Sequence, residues 1–118
     1  MSNHLKFYID GAWVDPVVPA TLDVIDPATE EAFTTISVGS KADVDRAVAA
    51  ARAAFETFST TTKAERLALL RAVLAAYNDR FEDIARAVSR EMGAPIGFAR
   101  EAQAWAGRAH MEATIEAL

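Results

Sequence analysis

Side chains that commonly carry out chemistry are few in this 118-residue sequence, and they are widely spaced. There is no cysteine, so the chain offers neither a thiolate nucleophile nor a thiolate metal ligand. The two histidines, His4 and His110, lie far apart, and neither belongs to an H-E-x-x-H motif. Glu112 is two residues from His110, and on a helix such residues do not face each other. We therefore interpret His110 as a surface or interface residue, not as a metal ligand.

The glycines do not form a phosphate-binding loop. They stand at positions 11, 39, 93, 97 and 107, and the sequence has no G-x-G-x-x-G, Walker or G-x-S-x-G motif. Gly93 and Gly97 have the spacing of a helix-dimer motif, but Pro95 lies between them and no apolar span surrounds them. Trp13 and Trp105 are interpreted as packing residues. By residue type alone, the sequence indicates an α+β fragment without an assignable reaction.

The stretch EMGAP, residues 91–95, interrupts a helical pattern. Gly93 suits the left-handed conformation that ends a helix, and Pro95 suits the first turn of the next one. The helical pattern resumes at Ile96 and runs through an alanine-rich segment to Leu118 without a stop signal. Because a domain rarely ends within a helix, we expect the sequence to be a piece of a longer protein.

The elements before this break follow two different periods. In FYIDGAWV (7–14) two β-prone runs flank Asp10-Gly11, which predicts a tight hairpin. TLDVID (21–26) and EAFTTISV (31–38) flank the turn PATE (27–30), which predicts a second hairpin. From Ser40 onward the period is helical. We therefore predict an α+β fragment of two β-hairpins followed by about four α-helices.

Three helix starts are indicated by capping motifs: SKAD (40–43), TKAE (62–65) and DRFE (79–82), the last only resembling a capping box. Each is followed by an apolar stripe at helical spacing, which predicts one buried face per helix. The stripes are Val44, Ala47, Val48, Ala51, Phe55; Leu67, Leu70, Val73, Leu74, Tyr77; and Phe81, Ile84, Ala85, Val88, Met92.

Composition narrows the class of protein. The sequence is 52% hydrophobic and 25% charged, which is typical of a globular chain. Its net charge of −5, with basic residues interspersed among acidic ones, gives no reason to expect a nucleic-acid partner. No apolar run is long enough to cross a membrane, and the first residues lack the layout of a signal peptide. We expect one unit over residues 1–118 without an internal boundary, in a cytoplasmic protein.

Five stretches, read in order, resemble the N-terminal segment of the aldehyde dehydrogenase superfamily. They cover most of residues 7–101, and the resemblance is expected to continue to residue 118. Two departures are Asp26, where asparagine is usual, and Glu31, where the turn usually has glycine. The stretches are FYIDGAWV, VIDPATEE, SKADVDRAVAAARAAFE, KAERLALLRAVLAAYNDRFEDIARAVSREMGAP and the following ARE.

The resemblance implies a fold and a reaction for the whole protein. Residues 1–118 would be the N-terminal segment of the coenzyme-binding domain, within a Rossmann-like α/β fold. The whole protein would oxidise an aldehyde to a carboxylic acid with NAD or NADP, through a cysteine thiohemiacetal. In the family the nucleophilic cysteine, general-base glutamate, oxyanion-hole asparagine and dinucleotide loop lie downstream of the matched segment. We therefore expect this chain alone to be inactive, with no catalytic or cofactor-binding residues and no bound cofactor.

One site of the family does fall on these residues. Many members hold a structural monovalent cation with backbone carbonyls near the NPATGE-like turn and an acidic side chain before the glycine of E-x-G-x-P. The corresponding positions are the carbonyls of Val24 and Ile25 and the carboxylate of Glu91, donors that suit a hard cation. Alternatively, Glu91 faces solvent or pairs with Arg90 or Arg100. A further carbonyl ligand of the family lies outside this segment, which favours the alternative here.

Two further interpretations belong to different classes. The chain could be a stand-alone helical module that self-associates through its apolar helix faces and has no enzymatic activity. An amphipathic membrane-surface protein is disfavoured, because the polar faces mix acids with bases. The coding sequence after Leu118 distinguishes the first alternative from an enzyme fragment. In either case we expect a homo-oligomer.

Overall fold

The computed structural model describes residues 3–118, so the first two residues of the predicted 1–118 segment lie outside the described residues. Four strands are followed by helices, which confirms the predicted α+β order. The elements are β1 (Phe7–Ile9), β2 (Ala12–Val14), β3 (Thr21–Asp26), β4 (Glu31–Ser37), α1 (Lys41–Phe58), α2 (Lys63–Asp79), α3 (Phe81–Met92), α4 (Ile96–Phe98), a π-helical segment (Ala99–Ala104) and α5 (Trp105–Ala117).

Contacts divide the chain into two compact units. The first contains the residues up to Ile25 together with Glu31–Thr60, and the second contains Asp26–Glu30 together with Thr61–Leu118. The turn between β3 and β4 thus groups with the later helices. The assignment of residues 1–118 to a single stretch of a coenzyme-binding domain stays a prediction.

The first hairpin has the predicted two-residue turn. Strands β1 and β2 pair antiparallel, with Ile9 opposite Ala12. Asp10 (φ 54°) and Gly11 (φ 74°) both adopt the left-handed conformation that such a turn requires. Tyr8 and Trp13 face each other across the strands with ring centroids 5.3 Å apart in an edge-to-face arrangement. Both rings are more than half exposed, whereas Ile9 on the opposite face is buried.

The second hairpin, β3–β4, is also confirmed, and its turn is held by Asp26. The backbone carbonyl of Asp26 accepts from the Glu30 N–H at 2.8 Å, and its Oδ1 accepts from the Ala28 N–H at 2.9 Å. Glu30 closes the turn with φ 60°. The glycine position of the turn is therefore Glu30, and the prediction that Glu31 occupies it was wrong. Glu31 begins a strand, where a left-handed backbone has no place.

Helix α1 begins with the predicted capping box. The Asp43 N–H donates to Ser40 Oγ at 3.4 Å, and the Ser40 N–H donates to Asp43 Oδ2 at 2.8 Å. The other oxygen of Asp43 accepts from the Val17 N–H at 2.9 Å, so this buried carboxylate also anchors the loop after β2. The predicted apolar stripe is not covered, since Val44 is 58% exposed and Phe55 is 66% exposed.

In the second unit, one capping prediction is confirmed and one is wrong. Thr62 and Glu65 form the capping box of α2. Asp79 does not cap α3, because α2 continues through Asp79 and only Arg80 separates the two helices. Arg80 makes no side-chain capping hydrogen bond, and its guanidinium instead lies 3.5 Å from Asp83.

The break at Gly93 has the expected geometry, but the helix after it differs from the prediction. Gly93 ends α3 with φ 69°, and Pro95 caps the next helix one residue before its first turn. The helical run from Ile96 to Ala117 contains the π-helical segment, which the sequence pattern did not predict. The buried residues of this unit are small ones: Ala85, Ala99 and Ala104. Within the described residues, no helix combines the length and apolar character needed to cross a membrane.

Candidate functional site

The turn that follows β3 lies against the break that follows α3, both within the second unit. A Cβ atom added at Gly93 would lie 2.9 Å from Pro27 Cγ, so the backbone passes close to the proline ring. Nearby, Arg90 Nε lies 3.9 Å from Asp26 Oδ2, and Ser89 Oγ donates to the Ala94 carbonyl at 2.7 Å. The helix break therefore lets the chain pass close over the turn.

These elements border an open cavity of about 450 Å³. Its charged lining is Asp26, Arg86 and Arg90, and its remaining lining comes from small residues, Pro95 and Ile96. A hydrolytic or group-transfer site needs a nucleophile hydrogen-bonded to a base. Ser89 is the only hydroxyl in the lining, and it donates to a backbone carbonyl. The arrangement brings together a turn and two helices.

The predicted cation ligands lie on different elements. Val24 and Ile25 belong to β3 in the first unit, and Glu91 is the penultimate residue of α3 in the second. Glu91 is exposed, and its carboxylate makes no hydrogen bond or ion pair with any described residue. The two arginines considered as its partners pair elsewhere, Arg90 with Asp26 and Arg100 with Glu82. The cation site therefore stays a prediction.

Elsewhere in the described part of the chain, the histidine and acidic side chains lie apart from one another. Among residues 3–118, no three histidine, aspartate or glutamate side chains cluster so that they could hold a metal ion. Nδ1 of His4 lies 3.1 Å from Thr34 Oγ1. His110 is exposed on α5, and its carbonyl accepts from Thr114 Oγ1 at 2.7 Å.

An ion pair that the sequence did not predict joins α3 to the π-helical segment. Arg100 Nε and Nη2 donate to the carboxylate oxygens of Glu82 at 2.9 Å and 3.0 Å, in a two-pronged contact. The hydrogen bonds from the guanidinium hold the pKa of Glu82 below its usual value and raise the pKa of Arg100. The two residues are 18 positions apart, so no short sequence motif predicts the pair.

Known protein structures contain the same arrangement of hairpins and helices. A crystallised aldehyde dehydrogenase from Bartonella henselae superposes on 99% of this chain, over 25% of its own length, with a TM-score of 0.95 and 48% identity. Aldehyde dehydrogenase C from Pseudomonas syringae, crystallised as a mutant with NAD+ and octanal, superposes on 97% with a TM-score of 0.94 and 42% identity. The hairpins and helices are thus a segment of a dehydrogenase fold.

Sequence comparison identifies the family. The model of the aldehyde dehydrogenase family matches residues 13–117. The 3-succinoylsemialdehyde-pyridine dehydrogenase of a Pseudomonas species is 45% identical over 111 residues, which are 93% of this chain and 23% of that protein. The chain belongs to the aldehyde dehydrogenase family. It spans about a quarter of the length of the relatives that it matches.

Proposed function

We propose that this chain is the N-terminal segment of an NAD(P)-dependent aldehyde dehydrogenase, which oxidises an aldehyde to a carboxylic acid. The observation that carries the proposal is the match to an aldehyde dehydrogenase crystal structure over 99% of the chain at 48% identity. Several related structures contain NAD+, and that of Pseudomonas syringae aldehyde dehydrogenase C also contains octanal. These ligands support a nicotinamide cofactor and an aldehyde substrate for the whole protein.

The role of this segment in the whole protein is structural. Oxidation through a thiohemiacetal needs a cysteine nucleophile, and the chain contains none. Among the described residues, no glycine-rich loop leads into a helix N-terminus in the way that dinucleotide phosphates require. The residues of this chain therefore do not fit a nicotinamide site.

The proposal is tested by assaying the whole protein that contains this segment for aldehyde-dependent formation of reduced nicotinamide cofactor. We expect turnover with NAD or NADP and with short or aromatic aldehydes as trial substrates. The 118-residue chain, purified by itself, serves as the control and should form no reduced cofactor. Turnover by that chain, free of contaminating enzyme, or an inactive whole protein without a downstream cysteine would contradict the proposal.

A second candidate function is self-association without catalysis. The observation in its favour is the uncovered apolar face of α1, where Val44, Val48 and Phe55 are all exposed. Reading the coding sequence after Leu118 separates the two functions. A downstream cysteine-bearing domain supports the enzyme, and a stop codon supports the self-association module.

We also infer that the whole protein holds a monovalent cation through the carbonyls of Val24 and Ile25 and the carboxylate of Glu91. The exposed, unpaired carboxylate of Glu91 supports this proposal, since it is available to a ligand. Backbone and carboxylate oxygens are the donors that hard cations prefer. This chain alone supplies an incomplete ligand set, so we expect weak binding at most.

A further inference from the structure

The π-helical segment Ala99–Ala104 lies between two fixed contacts in the second unit. Near its start, Arg100 is held on α3 by the two-pronged contact with Glu82. At its end, the Tyr77 hydroxyl donates to the Ala104 carbonyl at 2.7 Å, and the following helix α5 packs on α2. Ala99 and Ala104, the two ends of the segment, are both buried.

Gly107 makes the second contact possible. A Cβ atom at this position would lie 2.6 Å from the Tyr77 hydroxyl oxygen and 3.0 Å from Tyr77 Cζ. Any other side chain would therefore push the tyrosine away from the helix. The tyrosine ring and the missing side chain fit together, and the fit places the hydroxyl at the Ala104 carbonyl.

The π-helical geometry reconciles these two contacts. In an uninterrupted α-helix, residues seven apart such as Arg100 and Gly107 lie on nearly the same side, because seven residues are about two turns. A π-bulge adds one residue to a turn and changes the phase beyond it by about 100°. The bulge thus allows Arg100 to contact α3 while Gly107 contacts α2.

The π-helical segment also contains a buried polar atom that destabilises it. The Oε1 atom of Gln103 is buried and accepts no hydrogen bond from any described residue. A buried acceptor without a donor destabilises the conformation that buries it. The hydrogen bond from the Tyr77 hydroxyl to the neighbouring Ala104 carbonyl acts in the opposite sense, because it stabilises the π-helical conformation.

We propose that Ala99–Ala104 is a register switch, in which the Tyr77 hydroxyl selects the π-helical register. Without that bond the segment relaxes to an α-helix, and α5 turns by about 100° relative to α3. The face that Trp105–Ala117 presents then changes, although no residue of α5 has been altered. Any ligand or neighbouring chain that competes for the hydroxyl would have the same effect.

The test uses the 118-residue chain and four variants. Tyr77→Phe removes the hydroxyl, and Gly107→Ala displaces it while leaving it intact. Tyr8→Phe removes a hydroxyl from an exposed ring in the other unit, and Gly97→Ala adds a methyl group that meets nothing within 4 Å. Amide hydrogen exchange follows local opening, and nuclear Overhauser effects between the ring of residue 77 and residue 107 follow the register.

Loss of a neutral hydrogen bond predicts roughly two- to tenfold faster exchange. We expect this for the amides of residues 100–108 in Tyr77→Phe and Gly107→Ala, because these amides change hydrogen-bond partners each time the segment passes between the two registers. We also expect loss of the ring-to-107 signals and unchanged exchange in α3. Both control variants should match the wild type. If amide exchange became equally faster throughout α2, α3 and α5, the bond would only stabilise the unit as a whole, and the register-switch proposal would be wrong. Retained ring-to-107 signals in Tyr77→Phe, or a wild-type segment without protection, would overturn it as well.

Discussion

Two residues beside the helix break share a left-handed backbone conformation, although only one of them is glycine. Gly93 has φ 69° and Glu30 has φ 60°. A side chain at such a position is strained by contact between its Cβ atom and the following carbonyl. Glu30 carries this strain in the turn after β3, whereas Gly93 avoids it and also avoids the ring of Pro27.

Replacing Glu30 with glycine should therefore stabilise the chain. Relief of the left-handed strain predicts a gain of about 1 kcal/mol in the free energy of unfolding. The matched variant is Glu31→Gly, one residue later in β4, which should lose roughly 0.5–1 kcal/mol through greater chain entropy. Urea unfolding measures both. If Glu31→Gly stabilised the chain and Glu30→Gly did not, residue 31 would be the left-handed position of the turn, contrary to the structure.

The opposite change at Gly93 should destabilise. Gly93→Ala introduces left-handed strain and places a methyl group 2.9 Å from Pro27 Cγ, so we expect a loss of at least about 1 kcal/mol. Gly97→Ala is the matched control, because its Cβ meets nothing within 4 Å and alanine favours a helix. Thermal unfolding of both variants checks the prediction, which fails if the two shift the Tm in the same direction and to the same extent.

We expect monovalent cations to have little effect on the thermal stability of this chain through Glu91. Sodium or potassium should change the Tm of this chain little beyond what choline chloride does at the same ionic strength, because the proposed ligand set is incomplete. Glu91→Ala should respond in the same way. A cation-specific rise in Tm that disappears in Glu91→Ala would show that the site is already complete in this chain.

At the scale of elements, Asp43 connects the start of α1 to the loop after β2. Its carboxylate accepts hydrogen bonds from the Ser40 hydroxyl and from the backbone N–H groups of Val17 and Ser40. These bonds, the one from the Ser40 side chain foremost, hold the pKa of Asp43 below its usual value. The same arrangement lowers the pKa of Glu65 at the start of α2, where Thr62 donates.

A lowered native-state pKa gives a defined pH dependence. The stabilisation from Asp43 is fully present above the unfolded-state pKa of about 4 and is lost as the pH falls through the lower native value. Asp43→Asn should therefore reduce stability near neutral pH and show a shallower loss of stability below about pH 4. Urea midpoints across this range test the prediction. Parallel curves for the variant and the wild type would assign the acid sensitivity to other groups.

Local signals predicted most of the elements. Asp10-Gly11, the SKAD and TKAE capping boxes and Gly93 each act through residues no more than four positions apart, so the sequence alone carries their geometry. The π-helical segment depends on Tyr77 and Glu82, whose partners are 27 and 18 positions away. No periodicity in the helix itself records those contacts. The candidate cation ligands came only from the family resemblance.

At the scale of the molecule, the chain leaves much apolar surface uncovered. The α1 stripe is exposed, as are Val73 of α2 and Met92 of α3. Each 100 Å² of apolar surface removed from water contributes roughly 2.5 kcal/mol, before the entropy of association is subtracted. Pairing at micromolar concentrations needs a net gain of about 8 kcal/mol, and association costs at least about 4 kcal/mol in lost freedom. The interface must therefore bury at least roughly 500 Å² of apolar surface.

We expect the isolated chain to self-associate, with helices of one copy covering the apolar faces of another in a symmetric dimer or larger oligomer. Light scattering over a dilution series measures the mass. Val48→Glu, on the exposed α1 stripe, should weaken association, whereas Glu56→Gln on the same helix should leave it nearly unchanged. A compact monomer at high micromolar concentration with cooperative unfolding would contradict the prediction.

The two hairpins have a consequence for handling this chain. Each forms a sheet of only two strands among the described residues, so every strand has one side without a ladder partner there. Such borders offer rows of backbone donors and acceptors to any extended peptide. Glu31–Ser37 is the longest of these strands and carries a single charge, at its first residue. When the chain is concentrated, copies can therefore add to one another strand by strand, and continued addition would form fibres. A charged side chain in this strand, as in Thr35→Lys, should reduce such aggregation.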